Sequence, residues 1–150
     1  MKRRSLTVLP LIAALVLVGA SCNKDEGGNT GGSGGGGTSS VAATEVDYSI
    51  TLDSTDLSAG EVTFNVTNDA EQVHEFVVIK TDLAEDQLPL DDTGDVSESS
   101  SEISPVDEIE DIQPGSTPAL AVTLDAGSYV AICNLPGHYG QGMHVGFTVA

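Results

Sequence analysis

From Glu45 onward the chain alternates apolar and polar residues in short runs, and that period of two restricts it to sheets with one face buried. Between Glu45 and Asp53 the apolar positions are Val46, Tyr48, Ile50 and Leu52, which a single strand would place on one face. Val62, Phe64 and Val66 alternate with Glu61, Thr63, Asn65 and Thr67 in the same way. Phe76 to Ile79 is continuously apolar, as expected of a central strand covered on both sides. Ala119–Leu124 and Tyr129–Cys133 follow, split by the turn residues Asp125-Ala126-Gly127, and Val145, Phe147 and Val149 close the chain. Short β-rich runs separated by Gly, Asn and Asp predict an all-β sandwich or barrel.

Thr81 to Pro118 breaks this rhythm. It is dense in Asp and Glu and contains Pro89, Pro105, Pro114 and Pro118. It reads as a long acidic connection with one short helical turn and an edge strand near Val106 to Ile112. A connection of this length suits Greek-key topology, in which a strand passes from one sheet to the other.

The first forty residues belong to no core. Residues 1–22 read as an export signal: Lys2, Arg3 and Arg4 precede an apolar stretch from Leu6 to Ala20, too short and wrongly flanked for a permanent span. Cys22 has two readings. One is the lipid-attachment cysteine of a bacterial lipoprotein, and the other is ordinary secretion with cleavage after a small residue such as Ala20. Small residues precede Cys22 as in a lipobox, although Gly19 stands where an aliphatic residue is usual. Residues 23–41 read as a flexible linker, since Gly27 to Ser40 is almost wholly Gly, Ser, Thr and Asn, and a leash after a cysteine makes sense if that cysteine is anchored. Residues 42–150 remain, enough for one domain with a single core.

That domain contains one cysteine, Cys133, so it has no internal disulfide, and an exported protein with a solitary thiol needs another reason for it. Taken singly, a histidine opening a strand, a cysteine within one and a methionine before one are most often ordinary surface or core residues. Here they occur jointly. Cys133-Asn134-Leu135-Pro136-Gly137-His138-Tyr139-Gly140-Gln141-Gly142-Met143 places a thiolate, an imidazole and a thioether at C-x4-H-x4-M spacing on one loop, and His74 opens the apolar strand. Two imidazoles, one thiolate and a weak axial thioether are the ligand set of a blue copper site. Soft sulfur suits Cu(I) while imidazole binds both oxidation states, so little rearrangement accompanies gain or loss of an electron. His144, next to Met143, competes as a ligand. Strand parity sets it aside, because Met143, Val145, Phe147 and Val149 share a face and His144 points the other way with Thr148.

These residues resemble the cupredoxin family, and the loop is most similar to its auracyanin, rusticyanin and sulfocyanin branch, with the same spacing and a Pro-Gly-His step. The resemblance spans about residues 42–150. It implies a Greek-key β-sandwich of seven or eight strands holding one copper at one end, cycling between Cu(I) and Cu(II). It also implies that His74 and His138 ligate through imidazole nitrogen, Cys133 through a short thiolate bond and Met143 axially. His138 would lie near the surface in an apolar patch to which Leu135, Pro136, Tyr139 and Gly140 contribute, and backbone N–H groups would donate to the Cys133 sulfur. Glu75 departs from the family, many members of which carry Asn or Ser after the first histidine. A carboxylate close to copper would lower the potential.

The resemblance implies a carrier of single electrons between extracytoplasmic redox proteins, not an enzyme, because four endogenous ligands leave no open metal position. Its redox partners would be proteins such as a cytochrome or a terminal oxidase. A second class is a copper carrier that delivers the ion to an oxidase, which exposed Met- and His-rich clusters would favour, yet the chain has two Met and three His in all. A binuclear centre would need a second cysteine in the loop. After removal of the signal, Lys24 and Lys80 stand against 23 carboxylates. Such a surface repels nucleic acid and suits a basic docking face on the partner, or serves simply as a heavily hydrated, salt-adapted exterior. The expected form is a monomer, periplasmic or at the cell surface and held to the membrane through Cys22.

Overall fold

Apart from residues 45–53, the alternating runs become strands much as their pattern requires. The computed structural model describes residues 37–150; the export segment, Cys22 and the glycine-rich stretch up to residue 36 lie outside the described residues. Among the described residues there are nine strands: β1 Gly37–Val46, β2 Ser49–Leu52, β3 Asp56–Leu57, β4 Gly60–Asn68, β5 His74–Lys80, β6 Ser104–Ile112, β7 Ala119–Leu124, β8 Gly127–Ile132 and β9 His144–Val149. They form a four-stranded sheet in the order β2-β1-β4-β7 and a five-stranded sheet in the order β3-β9-β8-β5-β6. The pairs β1–β4 and β3–β9 are parallel, and the other pairs are antiparallel.

The main core lies between the two sheets. Val62, Phe64 and Val66 of β4 are fully buried. The Phe64 ring meets Phe76 of β5 at 5.4 Å and Phe147 of β9 at 5.6 Å, so one side chain joins the two layers. A second core lies on the outer face of the five-stranded sheet. There Val77, Ile79, Val130 and Ile132 are covered by Leu88, Val96 and Ile103 from the β5–β6 connection and by Tyr139. This explains the continuous apolar run of β5: Phe76 and Val78 face the first core, Val77 and Ile79 the second.

Three expectations need correction. The run 45–53 is not one strand. A two-residue turn at Asp47-Tyr48 divides it into β1 and β2, which pair as a hairpin with Val46 opposite Ser49. Parity in β1 therefore follows Val41, Ala43 and Glu45, which are buried, while Val46 is 43% exposed. This division and the two-residue β3 raise the strand count from the expected seven or eight to nine. Second, the domain begins before residue 42. Gly37 to Ser40 pair with Gly60 to Thr63, because backbone hydrogen bonds along β4 are available to any sequence with free N–H and C=O groups. Third, the acidic stretch of residues 81–118 does lead from one sheet to the other, from β5 to β7, but it lacks the expected helical turn and crosses only after its edge strand. Residues 81–103 return to the same sheet as β6, an edge strand as expected. The crossing is made by the short link from β6 to β7.

The register of β1 leaves one costly feature. Glu45 is completely buried, and neither carboxylate oxygen has a hydrogen-bond partner. Burial, with a smaller contribution from the Glu75 charge, pushes its pKa from 4.5 up to about 8. The folded state thus holds this proton more tightly than the unfolded chain does. The associated stability is present in full below the unfolded value and is lost as pH rises through the folded one, over a span worth up to about 5 kcal/mol. Urea unfolding of the metal-free protein at about pH 5 and about pH 9 checks this. Wild type should lose a few kcal/mol across that interval. Glu45→Gln should lose clearly less and be the more stable protein at the alkaline end.

Candidate metal centre

Three strand ends meet at one pole of the sandwich. His74 opens β5, Cys133 directly follows β8, and Met143 directly precedes β9. Between Cys133 and Met143 the chain turns sharply. Gly137 has φ 78° and Gly142 φ 107°, the left-handed conformation that glycine adopts without a Cβ clash. The Cys133 N–H donates to the Met143 carbonyl (3.1 Å), and the N–H groups of His138 and Met143 donate to the carbonyls of Leu135 (2.9 Å) and His138 (3.2 Å). The loop is thereby closed on itself before any metal is considered.

The side chains converge. His74 Nδ1 lies 3.3 Å from His138 Nδ1 and 3.9 Å from Cys133 Sγ, and Cys133 Sγ lies 3.3 Å from His138 Nδ1. A point equidistant from these three atoms is about 2 Å from each, within the range of first-row metal–nitrogen and metal–sulfur bonds. His74, Cys133 and Met143 have no exposed surface, and His138 is half-buried. Met143 is joined to the cluster through its main chain, to Cys133 on one side and to His138 on the other. His74, Cys133, His138 and Met143 thus lie close together, and as a donor set they fit a type 1 copper site.

Burial pushes the Cys133 thiol up to about 11, opposed by the N–H groups of Glu75 and Leu135, which hydrogen-bond the sulfur as expected. Burial also lowers the pKa of His74, helped by the nearby His138, so its ring is neutral and free to ligate. Two imidazoles beside a sulfur whose charge is disfavoured form a donor set that a cation would stabilise.

The remaining expectations divide. His144 stands apart from the cluster, as parity requires, but it is not simply outward. Its Nδ1 lies 3.6 Å from Glu85 Oε1, and its ring rests 5.2 Å from Tyr139 beneath the β5–β6 connection. Tyr139 is not part of a surface patch. It is 5% exposed, its hydroxyl donates to the Glu85 carbonyl at 2.9 Å and accepts from the Leu88 N–H at 3.0 Å, and it pins the connection to the ligand loop. Asn134 does the same: Oδ1 accepts from the Val96 N–H (2.7 Å) while Nδ2 donates to the Val96 carbonyl (3.0 Å) and to Glu98 (2.9 Å). Leu135 is half-buried, and Pro136 and Gly140 are exposed. The Glu75 side chain is half-buried, and its pKa is raised by burial, opposed by the Asn134 N–H and reinforced by Glu108, Glu98 and Glu110. The sequence reading missed Asp47 and Tyr48. The signal available for them was the tight turn, which their alternation disguised.

Comparison with solved structures agrees with this geometry. The chain is similar to reduced auracyanin from Roseiflexus castenholzii, with 22% identity, a TM-score of 0.51, and 77% of this chain and 99% of that chain covered. Rusticyanin from Thiobacillus ferrooxidans matches at 19% identity and a TM-score of 0.57, covering 77% of this chain and 79% of that one. Auracyanin A, a "blue" copper protein from Chloroflexus aurantiacus, matches at 23% identity and a TM-score of 0.51, covering 76% and 100%. The domain has the cupredoxin fold. No protein-family model and no curated protein sequence matches the chain. In this fold the cluster occupies the pole at which β5, β8 and β9 meet.

A raised thiol pKa makes metal uptake depend on pH, because Cys133 must lose its proton to ligate. Near neutral pH, metal loading should release the Cys133 proton, and apparent affinity should fall about tenfold for each unit of acidification from this group. Titration calorimetry in buffers of different ionisation enthalpy measures that release. Cys133→Ser should abolish the thiol's share.

Proposed function

We propose that this protein is a mononuclear type 1 copper protein that shuttles single electrons between extracytoplasmic redox proteins. The observation that carries the reading is the convergence of two Nδ1 atoms and one sulfur at 3.3–3.9 Å in a buried pole. A copper ion held by His74, Cys133, His138 and Met143 supplies a one-electron couple. The protein's own part is to fix those donors and exclude water. The loop hydrogen bonds and the Asn134 and Tyr139 ties restrain the donors, which keeps rearrangement small when the charge changes. The Glu75 and Leu135 N–H groups stabilise the thiolate.

His138, the half-buried ligand, is the favoured point of electron exchange, bordered by exposed Tyr48, Pro136 and Gly137. The net charge of −18 on the whole chain suits a partner with a basic docking face, such as a cytochrome or a terminal oxidase, and steering of that kind weakens with salt. The export signal and glycine-rich leash support a periplasmic or cell-surface protein, tethered through a lipid on Cys22 and able to sweep between membrane-bound partners as a monomer. Among the described residues no helix is long and apolar enough to cross a membrane.

Loading the protein with Cu(II) and recording visible and EPR spectra tests the reading. An intense thiolate-to-copper band with narrow copper hyperfine splitting is expected. Cys133→Ser should be colourless, and Met143→Leu should stay coloured with a raised potential, having lost a donor to Cu(II). A colourless wild type that binds only Cu(I) overturns electron transfer in favour of copper delivery.

A further inference from the structure

The β1–β2 turn is two residues long, and each of them approaches a different ligand histidine. Asp47 Oδ1 lies 3.8 Å from Nε2 of His74. That nitrogen is buried and has no hydrogen-bond partner. Since Nδ1 is the atom that converges on the cluster, Nε2 carries the ring hydrogen, and the Asp47 carboxylate is the acceptor it faces. Tyr48 sets its ring edge-on to His138, with centroids 5.5 Å apart and planes at 79°. We propose that Asp47 and Tyr48 are positioning residues, and that this turn holds both imidazoles in their ligating orientation.

The local backbone argues that the turn is more than a connector. Tyr48 has φ 64°, a conformation cheap for Gly or Asn and strained for an aromatic residue. A simple hairpin tip has no use for a tyrosine there. The strain is sustained by contacts on three sides. Val46 pairs with Ser49 across the turn, the Asp69 N–H donates to the Glu45 carbonyl at 2.8 Å, and the Gln72 side-chain amide donates to Asp47 Oδ1 at 3.3 Å. The Tyr48 carbonyl also lies against Gly142, where an added Cβ would sit 3.6 Å away. The turn therefore touches β4–β5, the ligand loop and both histidines at once. A carboxylate facing the ring hydrogen of a ligating histidine fixes its orientation and makes it a better donor, which favours the more highly charged metal.

The inference rests on the copper reading for its redox arm, so the experiment has two arms. In copper-loaded protein at fixed pH, Asp47→Asn should lower the Cu(II)-to-Cu(I) affinity ratio about tenfold, a rise in potential of about 59 mV for one electron. Tyr48→Phe should leave the EPR spectrum unchanged, whereas Tyr48→Gly should broaden it into a mixture of sites. The Tyr48→Gly protein should nonetheless be no less stable to urea, since glycine relieves the strain. In metal-free protein, 15N NMR reads the same contact: the His74 Nε2–H signal should exchange with solvent several-fold faster in Asp47→Asn. A wild type without a blue spectrum sinks the copper reading, and the NMR arm still decides the turn. An unchanged potential and unchanged exchange in Asp47→Asn, or an unchanged EPR spectrum in Tyr48→Gly, overturns the inference.

Discussion

The pole of this sandwich depends on a buried sulfur held beside two imidazoles. An apolar environment disfavours a thiolate, as the upward push on Cys133 shows, and two N–H groups offset only part of that cost. What remains is a cluster of donors without a positive charge, on a loop closed by hydrogen bonds that do not themselves need one. The main chain does the positioning. Cys133 and Met143 flank the last two strands of the five-stranded sheet and bond to each other across the gap, so any slip of β8 against β9 would separate the donors.

That pole is braced from outside by a segment that composition alone would describe as solvent-exposed and acidic. Residues 81–103 carry charge outward and apolar side chains inward, with Leu88, Val96 and Ile103 closing a second core over β5 and β8. Asn134, Gly137 and Tyr139 receive this segment, Gly137 by donating its N–H to Asp95 Oδ1 at 2.7 Å. The residues between the ligands of the loop therefore have their own structural duties, and the ligand spacing is held by both cores.

How much of this was legible follows from how local each signal is. The Cys133–Met143 loop was readable because three donors sit within eleven residues and the turn glycines lie between them. His74 was readable from its place at the head of a doubly buried strand. Parity correctly removed His144 from the ligands, but Glu85 and Tyr139, distant in sequence, were needed to show what it does instead. The β1–β2 hairpin was not readable. Its turn contains neither Gly nor Asn, and the two residues of the turn preserve the apparent alternation of the flanking strands. The same slip hid Glu45, a carboxyl at a core position that no local pattern predicts.

The carboxyl groups around the pole act with unequal force on its charge. Glu75 immediately follows a ligand, but it shares its surroundings with Glu98, Glu108 and Glu110, and its pKa is raised, so its charge is the less firmly held. Glu45 faces the interior and keeps its proton up to about pH 8, so near neutrality it brings bulk but little field. Asp47 is half-exposed, and solvent screens it from everything except the ring hydrogen it faces. Against them stand two N–H dipoles aimed at the sulfur and a setting closed to water, both of which favour the less charged metal state. Burial thus neutralises the carboxyl whose unscreened charge would have mattered most. A strongly acidic protein can in this way keep the pole from inheriting the sign of its surface.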